Sequence, residues 1–382
     1  MSIKRKLKRI VQGRLKLYPA VALVGPRQSG KTTLARSFKA DYFDLEQESE
    51  RLRLDVQWPS LESYERLVIL DEAQSWPDLF PRLRGIIDMD RKRPGRFLLL
   101  GSVSPALMKH VSESLAGRLS LIELNPFTLN ELSGTLLSEL WLRGGFPDGG
   151  ILLADQYPQW QKDYIALLTQ RDLPNWGLNA RPQLMQRLLK MLAAVHGQLW
   201  NASQIGQSLG LSYHTVNSYV YFLEETFLIR KLQPWSANLK KRLVRSSKCY
   251  WRDSGILHSL LGVHDYETLL SQPWVGASWE GFVIEQVLNT LNTIGQPVDP
   301  WFFRAADGTE IDLMFRHKSK FWAIEVKLTS NPSLKDFESL NHAADLVGAD
   351  KRVLVTQTTQ SVIGKKQISC SLQELLKILV KS

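Results

Sequence analysis

The sequence has only two cysteines, Cys249 and Cys370, and neither has a histidine or cysteine neighbour at metal-ligand spacing. This scarcity argues against a disulfide framework and against a structural zinc site, so we expect two reduced thiols. Long apolar runs are missing as well. No stretch approaches the roughly 18 residues needed to cross a bilayer, and no apolar segment follows the basic N-terminus as in a signal peptide. These absences predict a cytoplasmic protein without a membrane partner.

Basic residues outnumber acidic ones, 48 against 38, which gives a formal net charge of +10. Such an excess favours an acidic partner, most commonly nucleic acid. The N-terminal basic residues precede every acidic residue of the chain, and they are Lys4, Arg5, Lys6, Lys8, Arg9, Arg14 and Lys16. A second basic cluster consists of Lys240, Lys241, Arg242, Arg245, Lys248 and Arg252. We predict two DNA-binding surfaces; the alternative is that both are solvated faces.

The chain of 382 residues is longer than one hydrophobic core supports, so two or three domains are expected. In the N-terminal part, apolar strands such as "VALVG", "LVILD" and "FLLLG" alternate with helical stretches. This alternation predicts an α/β domain with a parallel sheet and helices on both faces. Ligands of such sheets bind beyond the carboxyl ends of the strands.

The glycines and proline of "RGGFPDGG" predict a domain boundary near Arg143. Helical spacing follows, and then two helices joined at Gly210 with a β-rich tail, which resembles a winged helix-turn-helix. Tyr213 and His214 open its recognition-type helix and are DNA-binding candidates. The remainder reads as an α+β unit. The predicted domains are therefore residues 1–143, 144–240 and 241–382.

The segment "GPRQSGKT" matches the phosphate-binding pattern G-x-x-x-x-G-K-[ST] and lies in the expected strand–turn–helix context. Its glycines allow backbone N–H groups to surround phosphates, Lys31 reaches the outer phosphates, and the Thr32 hydroxyl ligates Mg²⁺. ATP and Mg²⁺ are the predicted cofactors. The predicted nucleotide-binding residues are Gly25, Pro26, Arg27, Gln28, Ser29, Gly30, Lys31, Thr32 and Thr33.

Hydrolysis also needs a carboxylate for the metal ion and a group that activates water. Asp71 and Glu72, in "LVILDEAQ", supply the two at the end of a neighbouring strand; the alternative is that they only cap the next helix. Ser102, with Ser104 beside it, is placed to contact the γ-phosphate or the attacking water, or else to form an ordinary turn. Arg118 is predicted to reach a phosphate of this subunit or of a neighbouring one.

Several motifs, in their order along the chain, resemble a family of bacterial and archaeal AAA-type ATPases with a restriction-endonuclease-like C-terminal domain of unknown function. The motifs are "GPRQSGKTTLA", "LVILDEAQ", "LLLGSVSPALM", "ESLAGRL", "ELNPFTLNEL", "RGGFP" and "GTEIDLMF" with "FWAIEVKLT". The resemblance covers nearly the whole chain. It implies ATP binding and hydrolysis and a ring-like or other oligomeric assembly, for which a hexamer is one option.

The C-terminal motif itself resembles the PD-(D/E)XK nuclease arrangement. Asp312 lies on one strand, and Glu325 and Lys327 lie two residues apart on the next, so that both side chains project to the same face. Glu280, on the preceding helix, matches an additional acidic residue of such nucleases. Carboxylates of this kind hold Mg²⁺ or Mn²⁺ at a phosphodiester. The alternative is a nuclease-like fold that binds without cleaving, and Ile311 replaces the proline that usually precedes the aspartate.

The sequence therefore predicts an oligomeric, Mg²⁺-dependent ATPase that binds and remodels DNA, with branched or junction DNA as one substrate. Two alternatives stay open. One is an ATP-gated, metal-dependent nuclease, and the other is an ATP-dependent switch that binds a protein partner through the winged helix.

Overall fold

The computed structural model describes residues 3–102, 114–132, 137–235 and 245–381. The chain forms two compact units. The N-terminal unit consists of Met1–Phe127 with the short segments Asn175–Leu178 and Glu225–Phe227, and the C-terminal unit contains the remainder.

In the N-terminal unit, five strands are described, all parallel and in the order β2-β3-β4-β1-β5. Their bounds are β1 Ala20–Gly25, β2 Ala40–Asp44, β3 Leu67–Asp71, β4 Phe97–Ser102 and β5 Leu119–Glu123. The helices of this unit are Leu7–Leu15, Lys31–Ala35, Glu48–Gln57 and Leu79–Met89. The parallel sheet that the alternating pattern predicts is confirmed.

Helices cover both faces of this sheet, as predicted. Every residue of β1 is buried, and successive side chains of the strand enter different cores because strand side chains alternate between faces. Ala22 packs with Leu83 of the helix Leu79–Met89 in one core. Val21 packs with Val11 of the helix Leu7–Leu15 in the other.

Helices follow in the chain after Phe127, and nearly all of their residues belong to the C-terminal unit. Their bounds are Leu137–Arg143, Gln159–Leu167, Pro182–Ala194, Ala202–Leu209 and Tyr213–Glu225, with a single turn at Leu173–Asn175. The Asn201 side chain caps Ala202–Leu209 by accepting the N–H of Gln204 at 3.1 Å, and Gly210, with φ of 68°, ends it. The predicted pair of helices around Gly210 is therefore present, and its assignment as a winged helix stays a prediction.

An eight-stranded mixed sheet follows in the described residues, in the order β12-β13-β11-β10-β9-β8-β6-β7. The strands are β6 Ile229–Pro234, β7 Lys248–Trp251, β8 Trp301–Arg304, β9 Glu310–His317, β10 Lys320–Val326, β11 Lys351–Thr356, β12 Val362–Ile363 and β13 Gln367–Ser371. The helices are Ser254–Leu260, Tyr266–Leu270, Val275–Thr293, Leu334–Val347 and Leu372–Lys381. The predicted α+β character is confirmed, and the endonuclease-like assignment stays a prediction.

Both cysteines are buried free thiols, as expected. No helix in the described part of the chain combines the length and the apolar character that a membrane crossing requires.

Candidate functional site

The phosphate-binding loop joins β1 to the helix Lys31–Ala35, and its backbone requires glycine at two positions. At Gly25, φ is 149° and an added Cβ would lie 2.2 Å from the carbonyl oxygen of Leu124. Gly30 has φ of 93°, a left-handed value that is strained for other residues. Gln28 adopts φ of 62° as well. The glycine spacing of the motif therefore reflects close approach and backbone conformation in the folded loop.

Lys31 is buried inside this loop, with 6% of its surface exposed. Its ammonium donates hydrogen bonds to the carbonyl oxygens of Gly25 at 3.0 Å and Pro26 at 2.9 Å. Burial lowers the pKa of Lys31 to about 8, although the nearby Glu72 and Asp71 carboxylates oppose the shift. The cation is thus held against the loop.

The loop also contains a buried polar atom without a partner. Ser29 is fully buried, and its hydroxyl makes no hydrogen bond with any described residue. Buried hydroxyls normally have a partner, so a polar ligand in the loop would satisfy this one. The orphaned hydroxyl and the positive charge of Lys31 fit a bound nucleotide phosphate.

Asp71, the last residue of β3, meets the helix that follows the loop. The Thr32 hydroxyl donates to its carboxylate at 2.7 Å, and the Tyr42 hydroxyl donates to the same oxygen at 2.6 Å. Burial and this hydrogen bond raise the pKa of Tyr42. The two oxygens predicted to serve Mg²⁺ therefore lie side by side, which suits a hard cation. Tyr42 was not foreseen, because no motif marks it; it reaches Asp71 from the neighbouring strand β2.

Glu72 follows β3 in a left-handed backbone conformation, with φ of 49°. The Glu72 N–H donates to the Asp71 carboxylate at 2.9 Å, and the Gln74 side-chain amide donates to the Glu72 carboxylate. Burial raises the pKa of Glu72 above its ordinary value, while Gln74 and Lys31 oppose this shift. A carboxyl with a raised pKa is suited to accept a proton from water. Glu72 thus lies next to Thr32 and Asp71, the pair that is predicted to bind Mg²⁺.

The remaining predicted residues of this site are less closely tied to it. Ser102 ends β4 opposite Gly25 in the strand register, but its side chain and the whole of Ser104 lie outside what the structure describes. Arg118 makes a two-point ion pair with Asp88, with distances of 2.7 Å and 2.8 Å. Its third described hydrogen bond goes to Ala116 at 3.1 Å. The role of Arg118 in hydrolysis stays a prediction.

Arg5 belongs to the site instead of to a free basic surface. Its guanidinium donates to the carbonyl oxygens of Ser29, at 3.2 Å, and of Asn125. It also lies 4.4 Å from the centre of the Phe127 ring. The sequence placed Arg5 in a DNA-binding run because charge patterning carries no information on tertiary contacts. In the fold it is hydrogen-bonded to the phosphate-binding loop at Ser29.

The C-terminal unit contains a second polar site, a cavity of about 890 Å³. Its lining includes the four predicted nuclease-like residues, which are Glu280, Asp312, Glu325 and Lys327. The structure brings these four together from the helix Val275–Thr293, from β9 and from the end of β10. Lys327 and Glu325 form an ion pair at 2.7 Å, so their projection to one face is confirmed.

A residue from the predicted basic surface, Lys248, also lines this cavity. Its side chain is only 4% exposed and pairs with Glu280 at 2.9 Å and with Glu310 at 2.6 Å. Burial alone would lower the pKa of Lys248, but Glu280, Asp312 and Glu310 raise it overall. Burial, together with Glu280 and Glu325, raises the pKa of Asp312 well above its usual range, and Lys248 opposes this.

The surface prediction is therefore wrong for Lys248, and it is wrong for Arg252 too. The Arg252 side chain is 9% exposed and is paired with the buried Glu285 at 3.4 Å. Both residues are held by carboxylates that lie far away in the sequence, so the charge run misrepresents the surface. Arg245 is exposed, as expected. Lys240, Lys241 and Arg242 lie outside the described residues.

The side chains at the two sites differ in how well they suit a metal ion. Within the described ranges, no group of three His, Cys, Asp or Glu residues is arranged to hold a metal ion. At the phosphate-binding loop the pair Thr32 and Asp71 fits Mg²⁺ that is shared with nucleotide phosphates. In the C-terminal cavity, Lys248 and Lys327 already pair with the carboxylates, so those residues do not fit a resident metal.

Comparison with protein families divides the chain in three. Residues 17–133 match an AAA domain, residues 134–267 match a domain of unknown function (DUF8612), and residues 275–375 match another domain of unknown function (DUF4143).

Two uncharacterized proteins, from Mycobacterium bovis and Mycobacterium tuberculosis, are each 40% identical to this chain over 321 residues. The matches cover 83% of this chain and 72% of each relative. An uncharacterized protein from Haemophilus influenzae is 23% identical in an alignment of 378 residues, and the match covers 87% of this chain and 87% of that protein.

Solved structures with some similarity include AMPPCP-bound DnaA from Aquifex aeolicus, at 14% identity, 57% coverage of this chain and 86% of that chain, and a TM-score of 0.26. Can2 from Sulfobacillus thermosulfidooxidans, in complex with cyclic tetra-adenylate, is 12% identical, with 95% and 98% coverage and a TM-score of 0.24. These TM-scores are too low to indicate a shared overall fold. The identity and coverage of the mycobacterial matches show that the chain belongs to the same family as those two proteins. The match of residues 17–133 shows that its N-terminal part is an AAA-type ATPase domain.

Proposed function

We propose that the protein is an oligomeric, Mg²⁺-dependent ATPase that couples ATP hydrolysis to the binding and remodelling of DNA. One observation carries the hydrolytic part of this proposal. The Thr32 hydroxyl and the Asp71 carboxylate, 39 residues apart in sequence, lie 2.7 Å from each other beside the phosphate-binding loop. A metal ion held by this pair would neutralise charge on the phosphates.

The proposed roles are those that the sequence motifs predict. Lys31 binds the outer phosphates once its ammonium leaves the loop carbonyls, and residues 25–33 surround the phosphates. Asp71 and Thr32 hold Mg²⁺. Glu72, whose pKa is raised by burial, accepts a proton from the attacking water. Ser102 contacts the γ-phosphate or that water, and Arg118 acts across a subunit boundary.

The DNA-binding part of the proposal is supported by charge and by exposure. The net charge of +10 favours a polyanion. Tyr213 is 50% exposed and His214 is exposed as well, at the start of the helix Tyr213–Glu225. Lys240, Lys241 and Arg242, which lie outside the described residues, are proposed as further DNA-binding residues from the sequence alone. Branched DNA is the proposed substrate. We also propose three domains, which comprise residues 1–143, 144–240 and 241–382.

The first experiment tests hydrolysis. Lys31→Ala should abolish tight ATP binding because it removes the charge that faces the outer phosphates. Glu72→Gln should retain ATP binding and lose turnover, since the amide cannot accept a proton. Binding of a fluorescent ATP analogue and release of phosphate separate the two effects. Turnover by Glu72→Gln at the wild-type rate would refute the assigned role of Glu72.

The second experiment tests DNA binding and its alternatives. ATPase rates and nicking are measured with single-stranded, duplex and four-way DNA. Stimulation of the ATPase without nicking supports the proposal, whereas metal-dependent nicking would support the ATP-gated nuclease. DNA affinity should fall steeply with salt, and neutralising Lys240, Lys241 and Arg242 together should flatten that slope. Salt-independent DNA binding, or none at all, would favour the protein-binding switch.

A further inference from the structure

Lys248 lies among three carboxylates of the C-terminal cavity. Its Nζ is 2.9 Å from Glu280, 2.6 Å from Glu310 and 3.8 Å from Asp312, and its side chain is 4% exposed. Lysine is rarely buried this completely unless it is paired. The buried ammonium of Lys248 is therefore stabilised by the surrounding carboxylates, and the negative charge of the carboxylates is stabilised by the ammonium in turn.

The arrangement is built from separate elements of the C-terminal unit. Lys248 is the first residue of β7, Glu280 lies on the helix Val275–Thr293, and Glu310 and Asp312 lie on β9. Glu310 and Asp312 are two residues apart on one strand, so their side chains share a face. The cluster is therefore a product of the fold, and no local turn or cap accounts for it.

Two of these carboxylates, Glu280 and Asp312, each have a further hydrogen-bond donor. The Tyr250 hydroxyl donates to the Glu280 oxygen that faces Lys248, and the Val326 N–H donates to Asp312 at 2.8 Å. Glu325, the third acidic residue of the nuclease-like motif, has an ion pair with Lys327 at 2.7 Å. One ammonium group therefore lies beside Glu280 and Asp312, and another lies beside one carboxylate oxygen of Glu325, whose other oxygen is buried without a hydrogen-bond partner among the described residues.

We propose that Lys248 is a built-in cation that occupies the position of a divalent metal ion in this cavity, so that the cavity binds no such ion while Lys248 is present. A metal ion would have to enter within a few ångströms of a buried ammonium, and like charges at that distance repel strongly. Metal-dependent hydrolysis by Glu280, Asp312 and Glu325 is thereby excluded. This inference is independent of the proposed ATPase activity.

The test measures binding of Mn²⁺ alone to the full-length protein without nucleotide, from the electron paramagnetic resonance signal of free Mn²⁺. The wild type and Asp312→Asn should bind Mn²⁺ equally, because the wild-type cavity holds no metal ion. Lys248→Met should gain a Mn²⁺ site whose affinity is at least about tenfold above the detection limit of the wild-type titration, because one buried positive charge is gone. Adding Asp312→Asn to Lys248→Met should abolish the gain, which assigns the new site to this cavity.

Lys327→Met is the matched control, since it removes a lysine from the same cavity at a side chain that is 44% exposed. It should increase Mn²⁺ affinity less than Lys248→Met does. If circular dichroism shows that Lys248→Met is unfolded, the variant Lys248→Met/Glu310→Gln keeps the local charge balanced and leaves the three predicted metal ligands intact.

Two results would overturn the proposal. The first is Mn²⁺ binding by the wild type that Asp312→Asn abolishes. The second is a folded Lys248→Met or Lys248→Met/Glu310→Gln protein that binds Mn²⁺ no better than the wild type. If neither variant folds, the comparison of Mn²⁺ binding between the wild type and Asp312→Asn tests the proposal by itself.

Discussion

His258 is expected to make the C-terminal unit sensitive to mild acid. The imidazole is fully buried, with Nδ1 2.8 Å from the carbonyl oxygen of Leu142 and Nε2 2.7 Å from the Ser278 hydroxyl. A carbonyl only accepts hydrogen bonds, so Nδ1 carries the proton and Nε2 accepts from Ser278. The Trp141 N–H donates to Ser278 in turn, at 3.0 Å. This chain of hydrogen bonds selects the neutral imidazole.

The size of the effect follows from the pKa of His258. Burial lowers it from 6.5 to about 4, although the Leu142 carbonyl opposes the shift. Because the folded-state pKa is the lower one, the stabilising contribution is complete above pH 6.5 and is lost as pH falls from 6.5 to 4. At pH 5 the loss is about 2 kcal/mol. Burial also lowers the pKa of His196, to about 3, so protonation of this histidine destabilises the folded state at low pH as well.

Urea unfolding at pH 7 and pH 5, followed by tryptophan fluorescence, measures this loss. Of the twelve tryptophans, only Trp58, Trp76 and Trp176 belong to the N-terminal unit, so fluorescence reports mainly on the C-terminal one. His258→Gln should lose about 2 kcal/mol less than the wild type between these pH values. His264→Gln, at an exposed histidine, is the matched control. Equal losses in the wild type and His258→Gln would refute the reasoning.

Three further outcomes are expected. Gly25→Ala should prevent ATP binding, because its Cβ would lie 2.2 Å from the Leu124 carbonyl oxygen; normal binding in a nucleotide titration would contradict this. Glu285→Gln should lower the free energy of unfolding by about 3–5 kcal/mol, since it removes the buried carboxylate that pairs with Arg230 and Arg252; a smaller change in urea unfolding would count against the buried carboxylate's role. Arg118→Ala should preserve ATP binding and slow hydrolysis by ~10³-fold or more. Mixing it with Lys31→Ala subunits should restore activity, and stable mixed oligomers without rescue would rule out a role across the subunit boundary.

Much of the N-terminal domain could be read directly from the sequence. The nucleotide-binding residues form one contiguous segment, and their glycine, lysine and threonine spacing specifies the loop without any knowledge of distant contacts. Asp71 could be placed near Thr32 because strands that alternate with helices form parallel sheets, whose carboxyl ends share an edge. The 2.7 Å contact between these side chains agrees with that placement.

Charge patterning was the least reliable guide. Arg5 and Lys248 were both assigned to basic surfaces, yet Arg5 contacts the phosphate-binding loop and Lys248 is buried among carboxylates. A run of like charges shows that local repulsion has to be relieved, but it does not show whether solvent, DNA or a distant acidic residue relieves it. That distinction depends on long-range contacts.

The sequence by itself determined the features that depend on neighbouring residues, which are the phosphate-binding loop, the alternating strands and helices, and the Glu325–Lys327 pair. Only the tertiary structure decided which distant side chains meet these features. Tyr42 reaches Asp71 because β2 lies beside β3, and Lys248 enters the carboxylate cluster because β7, β9 and a helix surround one cavity. Such contacts arise from the packing of elements, and their free energies depend on burial that no local pattern records.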